Sequence, residues 1–380
     1  MGEAFIVGAA MTTFGKHRDS SYAGLGVPPL VEALRSAGIS RQEVGAVYCG
    51  NAYGGMLTGQ RICKVIGLGG IPVVNVDNAC SGGATAISEA FHAVREGRHD
   101  VVVVIGVEKL TQFGGGTLPL PLEDREVRAG IVMPAVYAMR AQRYLLETGA
   151  TLHDLALVSV KSRQHGSLNP FAQMRTVTSA EEVLASRPIA EPLRLMMCCP
   201  TSDGAAVVVI ASEAVRRRIS TSAVRIRASV LHSGTVAEGY RNMIAPEITR
   251  DSARDAYEMA GVGPDDMDVI ELHDAFSIAE LVYYEALGIA EAGHGFELIR
   301  KGATTFGGDV VVNPSGGLLA KGHPVGASGV AQAVELFWQL TGTAGRRQVE
   351  DARLGLTHVT GGGIAGLDHG SCAVHVFEAA

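Results

Sequence analysis

Unbroken apolar runs mark the extended segments of this chain. "DVVVVIGVE" (100–108), "TSDGAAVVVIAS" (201–212) and "RLGLTHVTGGG" (353–363) read as buried strands. Elsewhere apolar positions fall at helical spacing, as in "CSGGATAISEAF" (80–91) and "ASGVAQAVELFW" (327–338), each opening on the small residues of a helix N-terminus. The pattern also repeats. "ALRSAGISRQEVGAVYCGNAYGG" (33–55) aligns without a gap on "AYEMAGVGPDDMDVIELHDAFSI" (256–278). Ala37-Gly38 falls on Ala260-Gly261, Val44 on Met267, Val47 on Ile270 and Ala52-Tyr53 on Ala275-Phe276. Both stretches predict a helix stopped by glycine, an acidic turn and a short strand. The two helical stretches form a second pair in the same order, with Ser81-Gly82 on Ser328-Gly329 and Ala84 on Ala331. The shared order points to duplication.

Alternating strands and helices predict an α/β fold with right-handed crossovers, in two halves at 1–218 and 219–380. About 112–190 breaks the pattern: "FGGGTLPLPLED" and "RQHGSLNPFAQMRT" flank a helical "MPAVYAMRAQRYLLETG". This stretch reads as an excursion from the first half, of the kind that covers a binding site.

Composition narrows the class. With 380 residues, 47% hydrophobic, the chain can bury a large core, and 48 glycines suit the tight turns of an α/β enzyme. A formal charge of −7 argues against nucleic acid as the main partner. Six scattered cysteines without a CxxC fit free thiols in a reducing compartment, and no zinc or other metal site is expected. "MGEAFIVGAAMTTF" lacks a basic n-region, and no run approaches the roughly 18 apolar residues of a membrane span, so a cytoplasmic location is expected.

Four stretches carry candidate chemistry. In "NVDNACSGGATAISE" (75–89), Cys80 stands at a helix N-terminus, where unpaired N–H groups favour a thiolate and lower the thiol pKa. A buried small hydrophobe is the competing reading. In "NPSGGLLAKGHPVGASG" (313–329), His323 lies between glycine and proline, just before the second half's counterpart of the Cys80 helix. Two matching sheet edges should therefore bring thiol and imidazole together, the usual device for an activated nucleophile. His273, in "IELHDAFSIAE" (270–280), ends a strand at the position matching Gly50, and Asp274 reads as a cap for the helix that follows. "THVTGGGIAG" (357–366) runs a strand into three glycines whose N–H groups suit an oxyanion, without the spacing of a dinucleotide fingerprint.

Together these loops resemble the thiolase superfamily over nearly the whole chain. "NACSGG" is similar to its nucleophile loop, "HDAF" to its Asn-Glu-Ala-Phe or His-Asp-Cys-Phe loop, "GHPVGASG" to its histidine loop and "VTGGG" to its C-terminal glycine loop. "MMCCPTSDGAA" (196–206) resembles its Asp-Gly-Ala strand entry, and His-Asp points to the sterol-carrier-protein-type and archaeal branch. The resemblance implies a five-layer αβαβα fold, a loop domain that contacts coenzyme A, and a homodimer or dimer of dimers. It implies that Cys80 takes an acyl group from acyl-CoA and that His323 activates it. His273 would hold a water or the thioester oxygen, and the backbone N–H groups of Cys80 and Gly361 would form an oxyanion hole. Ser315 and Gly316, with Arg125, Arg128 and Arg175, are candidate coenzyme A contacts. Each arginine also reads as a solvated surface charge.

The departures matter as much. Many thiolases keep a second cysteine where this chain has Val359, and the His-Asp-Cys-Phe branch keeps one where it has Ala275. Neither side chain can move a proton. His358 or His273 are candidate replacements. The leading expectation is an acyl-CoA C-acyltransferase that makes or breaks a β-ketoacyl-CoA C–C bond. The alternatives are an aldolase-type lyase acting on β-hydroxyacyl-CoA, a Cys-His-His ketoacyl-synthase-like condensation, and a scaffold without activity. A small zinc-ribbon/OB-fold protein of the kind that accompanies this branch is an expected partner.

Overall fold

The computed structural model describes residues 2–219, 221–236, 241–362 and 369–380. The first half runs β1 (Ala4–Met11), α1 (Tyr22–Ala37), β2 (Ala46–Gly50), α2 (Thr58–Val65), β3 (Val73–Val76), α3 (Gly82–Arg95) and β4 (Val101–Lys109). The excursion holds α4 (Arg125–Arg128), α5 (Met133–Glu147), α6 (Leu152–Leu168), α7 (Ala180–Ala185) and a hairpin of β5 (Pro188–Ala190) and β6 (Leu193–Arg194). The chain returns as β7 (Asp203–Ser212) and α8 (Glu213–Arg218). The second half runs β8 (Val224–His232), α9 (Glu247–Ala260), β9 (Val269–Glu271), α10 (Ser277–Ala286), α11 (Gly295–Lys301) and β10 (Val311–Val312), then α12 (Gly317–Ala320), α13 (Val325–Leu340), β11 (Leu354–Gly361) and β12 (Ser371–Ala379).

Ten strands line up as β10-β9-β11-β12-β8-β1-β7-β4-β2-β3. From the middle outward the two arms match, β8-β12-β11-β9-β10 against β1-β7-β4-β2-β3. In each arm the inner two pairings are antiparallel and the outer two parallel. The arms meet at a short antiparallel contact, Phe5 opposite Arg225 and Ile6 opposite Val224. The aligned helix stops match as well. Gly38 (φ 65°) and Gly261 (φ 68°) adopt the left-handed conformation and return their N–H groups to the last turns of α1 and α9.

The layers explain the unbroken apolar runs. Along β4, Val103 and Ile105 pack outward with Leu30 and Leu34 of α1, while Val102 and Val104 pack inward with Phe91 of α3 and Val330 of α13. A strand covered on both faces needs no polar side. On the far side, Val374 and Val376 of β12 join Ala256 of α9 and Leu281 of α10 in a third cluster. The order is therefore helix, sheet, helix, sheet, helix, with α3 and α13 between the arms. The excursion belongs to the first half by sequence, yet Tyr144, Leu155 and Val158 pack with the outer helices of the second.

The middle layer is unusually close. A Cβ on Gly83 would stand 2.5 Å from the Gly326 carbonyl oxygen, one on Gly326 2.5 Å from Asn51 Cα, and one on Gly329 2.6 Å from the Ala84 nitrogen. The first turns of α3 and α13 thus touch through their backbones. Replacing Gly326 with alanine pushes the first turn of α13 off the backbone at Gly50, Asn51 and Val107, where β2 and β4 end. We expect Gly326→Ala to cost about 1–3 kcal/mol in denaturant unfolding, the range for overpacking, and to lower activity further. Wild-type values for both would show that the contact is not needed.

Candidate active site

The close approach sets the site, because Cys80 stands just before α3 and His323 just before α13. Cys80 Sγ lies 3.3 Å from His323 Nε2. The other ring nitrogen, Nδ1, lies 2.7 Å from Ser328 Oγ. Ser328 donates its own hydrogen to the Pro324 carbonyl at 3.0 Å, so it can only accept from the ring. Nδ1 therefore carries the proton and Nε2 offers its lone pair to the thiol. The His323 backbone N–H donates to Ser202 Oγ at 3.1 Å, which fixes the loop.

The nucleophile loop from one arm is held by the other. Ala79, at φ 48°, turns the chain immediately before Cys80, and its N–H donates to Asp77 Oδ1 at 2.9 Å. The Asn78 carbonyl accepts from Ser81 N–H and from the Ser81 hydroxyl, and Ser81 Oγ lies 2.6 Å from Ser371 Oγ of β12. Gly361 packs here as well, since a Cβ on it would collide with the Asn78 carbonyl oxygen. The amide that reaches the Cys80 sulfur is that of Gly362, one residue further along. The glycine run from 363 onward lies outside the described residues.

His273 faces the same centre. One of its ring nitrogens, one of His323's and the Cys80 sulfur lie within 4.8 Å of one another. Its Nδ1 is 3.0 Å from Thr360 Oγ1, which is 3.1 Å from the Tyr283 hydroxyl, and its buried Nε2 has no partner among the described residues. Three donor atoms of this kind could hold a soft metal ion in principle, but His323 is already committed as the base of a thiol pair.

Burial decides the protonation states. The expectation of a depressed Cys80 pKa is overturned: removal from water pushes the thiol up to about 12, against the pull of the Gly362 amide. His323 is held down to about 3 by burial and by the Lys321 charge. His273 is held well below its usual range by burial and by the neighbouring imidazoles. The resting pair is thus a neutral thiol beside a neutral imidazole, with Cys80 mostly but not wholly buried.

Other expected residues fall elsewhere. His358 lies on the opposite face of β11 from Val359, with Nε2 3.1 Å from Thr249 Oγ1 and its ring against Tyr283. Val359 itself packs beside Cys80, Ala84 and Ala373. Ser315 is buried and committed to Glu271, donating from its hydroxyl at 2.7 Å and its N–H at 3.0 Å. A Cβ on Gly316 would stand 2.7 Å from Gly166 Cα, so that backbone also faces protein. Neither is placed to meet coenzyme A. Asp274 accepts from Leu318 N–H at 2.6 Å, capping α12 rather than the following α10. Arg125, Arg128 and Arg175 are exposed, and Arg175 follows a loop whose Met174 N–H donates to Ala320 beside the His323 loop.

The sequence reading missed Glu108. This buried carboxylate accepts from Ala52 and Tyr53 N–H, from Gly326 N–H and from the Tyr22 hydroxyl, and so ties both arms at the site. Its signal was a charge closing an otherwise apolar strand.

Comparison with known proteins agrees with this geometry. Residues 4–214 match the family described as thiolase, N-terminal domain, and residues 232–369 match thiolase C-terminal domain-like. The chain is 42% identical to the benzoylsuccinyl-CoA thiolase subunit BbsB of Thauera aromatica, over 95% of each chain. It is 38% identical to an acetyl-CoA acetyltransferase of Methanothermobacter thermautotrophicus over the full length of both. Among solved structures, an Ltp2-ChsH2(DUF35) aldolase superposes with a TM-score of 0.85 at 25% identity, covering 100% of this chain and 98% of that one. Human mitochondrial 3-ketoacyl-CoA thiolase in complex with CoA superposes at 0.77 and 17% identity over the same shares, a likeness of fold.

Two pH profiles test the electrostatics. Alkylation of Cys80 by iodoacetamide should keep accelerating through pH 9, where an exposed thiol of pKa ~8.5 levels off. A rate already flat above neutrality would mean a standing ion pair. His165 and His323 at about 3, His375 at about 4 and His273, held well below its usual range, are all buried and neutral. The unfolded chain protonates these rings near 6.5 while the folded chain does not, so stability must fall as pH drops below that value. Each ring should contribute a slope of about 1.4 kcal/mol per pH unit, and unfolding at pH 5 should take up protons in calorimetry. No uptake there would contradict the burial of these rings.

Proposed function

Because the chain belongs to the thiolase family, we propose that it is an acyl-CoA C-acyltransferase carrying the acyl group on Cys80. The observation that carries this reading is the 3.3 Å approach of His323 Nε2, in the acceptor tautomer, to the Cys80 thiol. As the sulfur attacks a thioester or β-keto carbon, its proton passes to Nε2, and Ser328 holds the imidazolium through Nδ1–H. The N-termini of α3 and α13 and the Gly362 amide favour the charge that develops. Tyr283 donating to Thr360, and Thr360 to His273 Nδ1, leaves a proton on His273 Nε2 for the substrate oxygen. Cys80 N–H and Gly361 N–H complete the proposed oxyanion contacts. The acyl group then moves to the second substrate in a ping-pong cycle.

The halves 1–218 and 219–380, with the insertion at about 112–190, are taken as the duplicated domains. Coenzyme A crosses the excursion, with Arg175 the best placed of the three arginines for its phosphates. A homodimer is supported by the exposed edge strand β3, whose Val74 is 43% exposed. A small zinc-ribbon/OB-fold partner is supported by the DUF35 complex among the structural neighbours and by the subunit in a relative's name. Six free cysteines suit a cytoplasmic setting, and no described helix is long and apolar enough to cross a membrane.

Val359 beside Cys80 favours one second reading, a lyase that cleaves β-hydroxyacyl-CoA without free coenzyme A. Intact mass after acyl-CoA addition separates the two. Cys80 should gain one acyl group, Cys80→Ser should gain none, and turnover should fall ~10⁴-fold or more. An unmodified Cys80 together with CoA-independent cleavage in the serine variant would establish the lyase.

A further inference from the structure

C–C bond cleavage leaves a carbanion on the carbon next to the departing thioester, and it needs a proton. Cys80 is then acylated, and the proton on His323 is the one that the Cys80 sulfur takes back when it leaves, so a separate donor keeps the two transfers apart. Val359 and Ala275, the side chains that flank these loops, have none to give.

We propose that the Cys199 thiol delivers this proton during cleavage and removes it during condensation, an inference that rests on the acyl transfer proposed above. Cys198 pairs with Phe276 as an antiparallel bridge, and Cys199 N–H donates to the Ala275 carbonyl at 2.9 Å. Residues 199 and 275 are therefore cross-strand neighbours with side chains on one face. Two positions before Ala275 stands His273. Three positions after Cys199 stands Ser202, which accepts from the His323 N–H at 3.1 Å. The segment is thus tied to both histidine loops. Cys199 is partly buried against the cluster that includes Ala275 and Phe276, and it stands near enough for negative charge on Cys80 or Asp274 to raise its pKa.

A second feature marks where the substrate sits. His273 is 4% exposed, and among the described residues its Nε2 is unpartnered in the cluster it forms with Cys80 and His323. A buried ring nitrogen of this kind calls for a ligand oxygen. With a thioester oxygen on His273, the adjacent carbon is set, in this proposal, between Cys80 and the segment that carries Cys199. Burial holds the Cys199 thiol well above its usual pKa, which keeps its proton on until a strong base such as a carbanion forms.

The steps balance. Cys80 gives its proton to His323 and its sulfur bonds to the β-carbon. The Cα–Cβ bond breaks, and its electron pair takes the Cys199 proton as the first acyl-CoA leaves. Incoming coenzyme A returns a proton to the Cys199 thiolate and attacks the Cys80 thioester. The Cys80 sulfur leaves and recovers its proton from His323. Condensation runs the same steps backward.

The test uses the full-length protein, with its partner where one is needed. Acylation of Cys80 is read by mass, and exchange of the acetyl-CoA methyl protons in D₂O is read by NMR. We expect Cys199→Ala to acylate normally, which also reports folding, while exchange and turnover fall ~10²–10⁴-fold. The double variant C199A/A275C, which moves the thiol to the facing loop, should recover part of the exchange. Normal exchange in C199A, or a loss that A275C leaves untouched, overturns the proposal. If wild-type Cys80 takes no acyl group, the acyl-transfer reading falls with it. If it does and C199A exchanges normally, only this inference falls.

Discussion

Two helices meet backbone to backbone at the centre of this protein, and the site exists because they can. The first turns of α3 and α13 touch at Gly83, Gly326 and Gly329, where any side chain would collide with main-chain atoms. Cys80 and His323 precede these turns, and so they come within 3.3 Å although 243 residues separate them. The same contact aims two helix N-termini at one spot. Glu108 locks it by accepting from the Asn51-side loop at Ala52 and from Gly326 together.

Electrostatics within this frame are governed by burial. Partial charges at two helix ends favour a thiolate, but desolvation is larger and leaves a neutral thiol–imidazole pair. Proton transfer is thus coupled to substrate attack rather than completed beforehand. Charges that the fold does bury serve the loops. Lys321 and Glu271, both fully buried, form an ion pair at 3.1 Å beneath the His323 loop. Asp274, pushed up to about 8 by burial and by Glu280, caps α12. Removing one partner of the Lys321–Glu271 pair typically costs several kcal/mol, so that pair holds the His323 loop in place.

The pairing of arms also explains how one duplicated unit supports asymmetric chemistry. Matching loops approach the centre from both halves, yet Gly50 in one copy is His273 in the other, and Asn51 corresponds to Asp274. One copy supplies the nucleophile and the other the imidazoles. The excursion, inserted in the first copy, packs on the helices of the second.

Much of this was legible along the chain. Gap-free alignment of 33–55 with 256–278 exposed the duplication, since identical helix stops at Gly38 and Gly261 must recur where the same turn recurs. Apolar runs such as "VVVVI" announced strands covered on both faces, and four short loops marked the reacting groups. Local pattern could not say where side chains end up once the sheet is assembled. Ser315 looked available and is spent on Glu271, His358 sits on the wrong face of β11, and Asp274 caps a helix 43 residues further on. Nor could it say that Cys80 is un-ionised or that Cys199 lies beside Ala275. Those outcomes depend on solvent exclusion and on contacts between distant segments, which exist only in the folded chain.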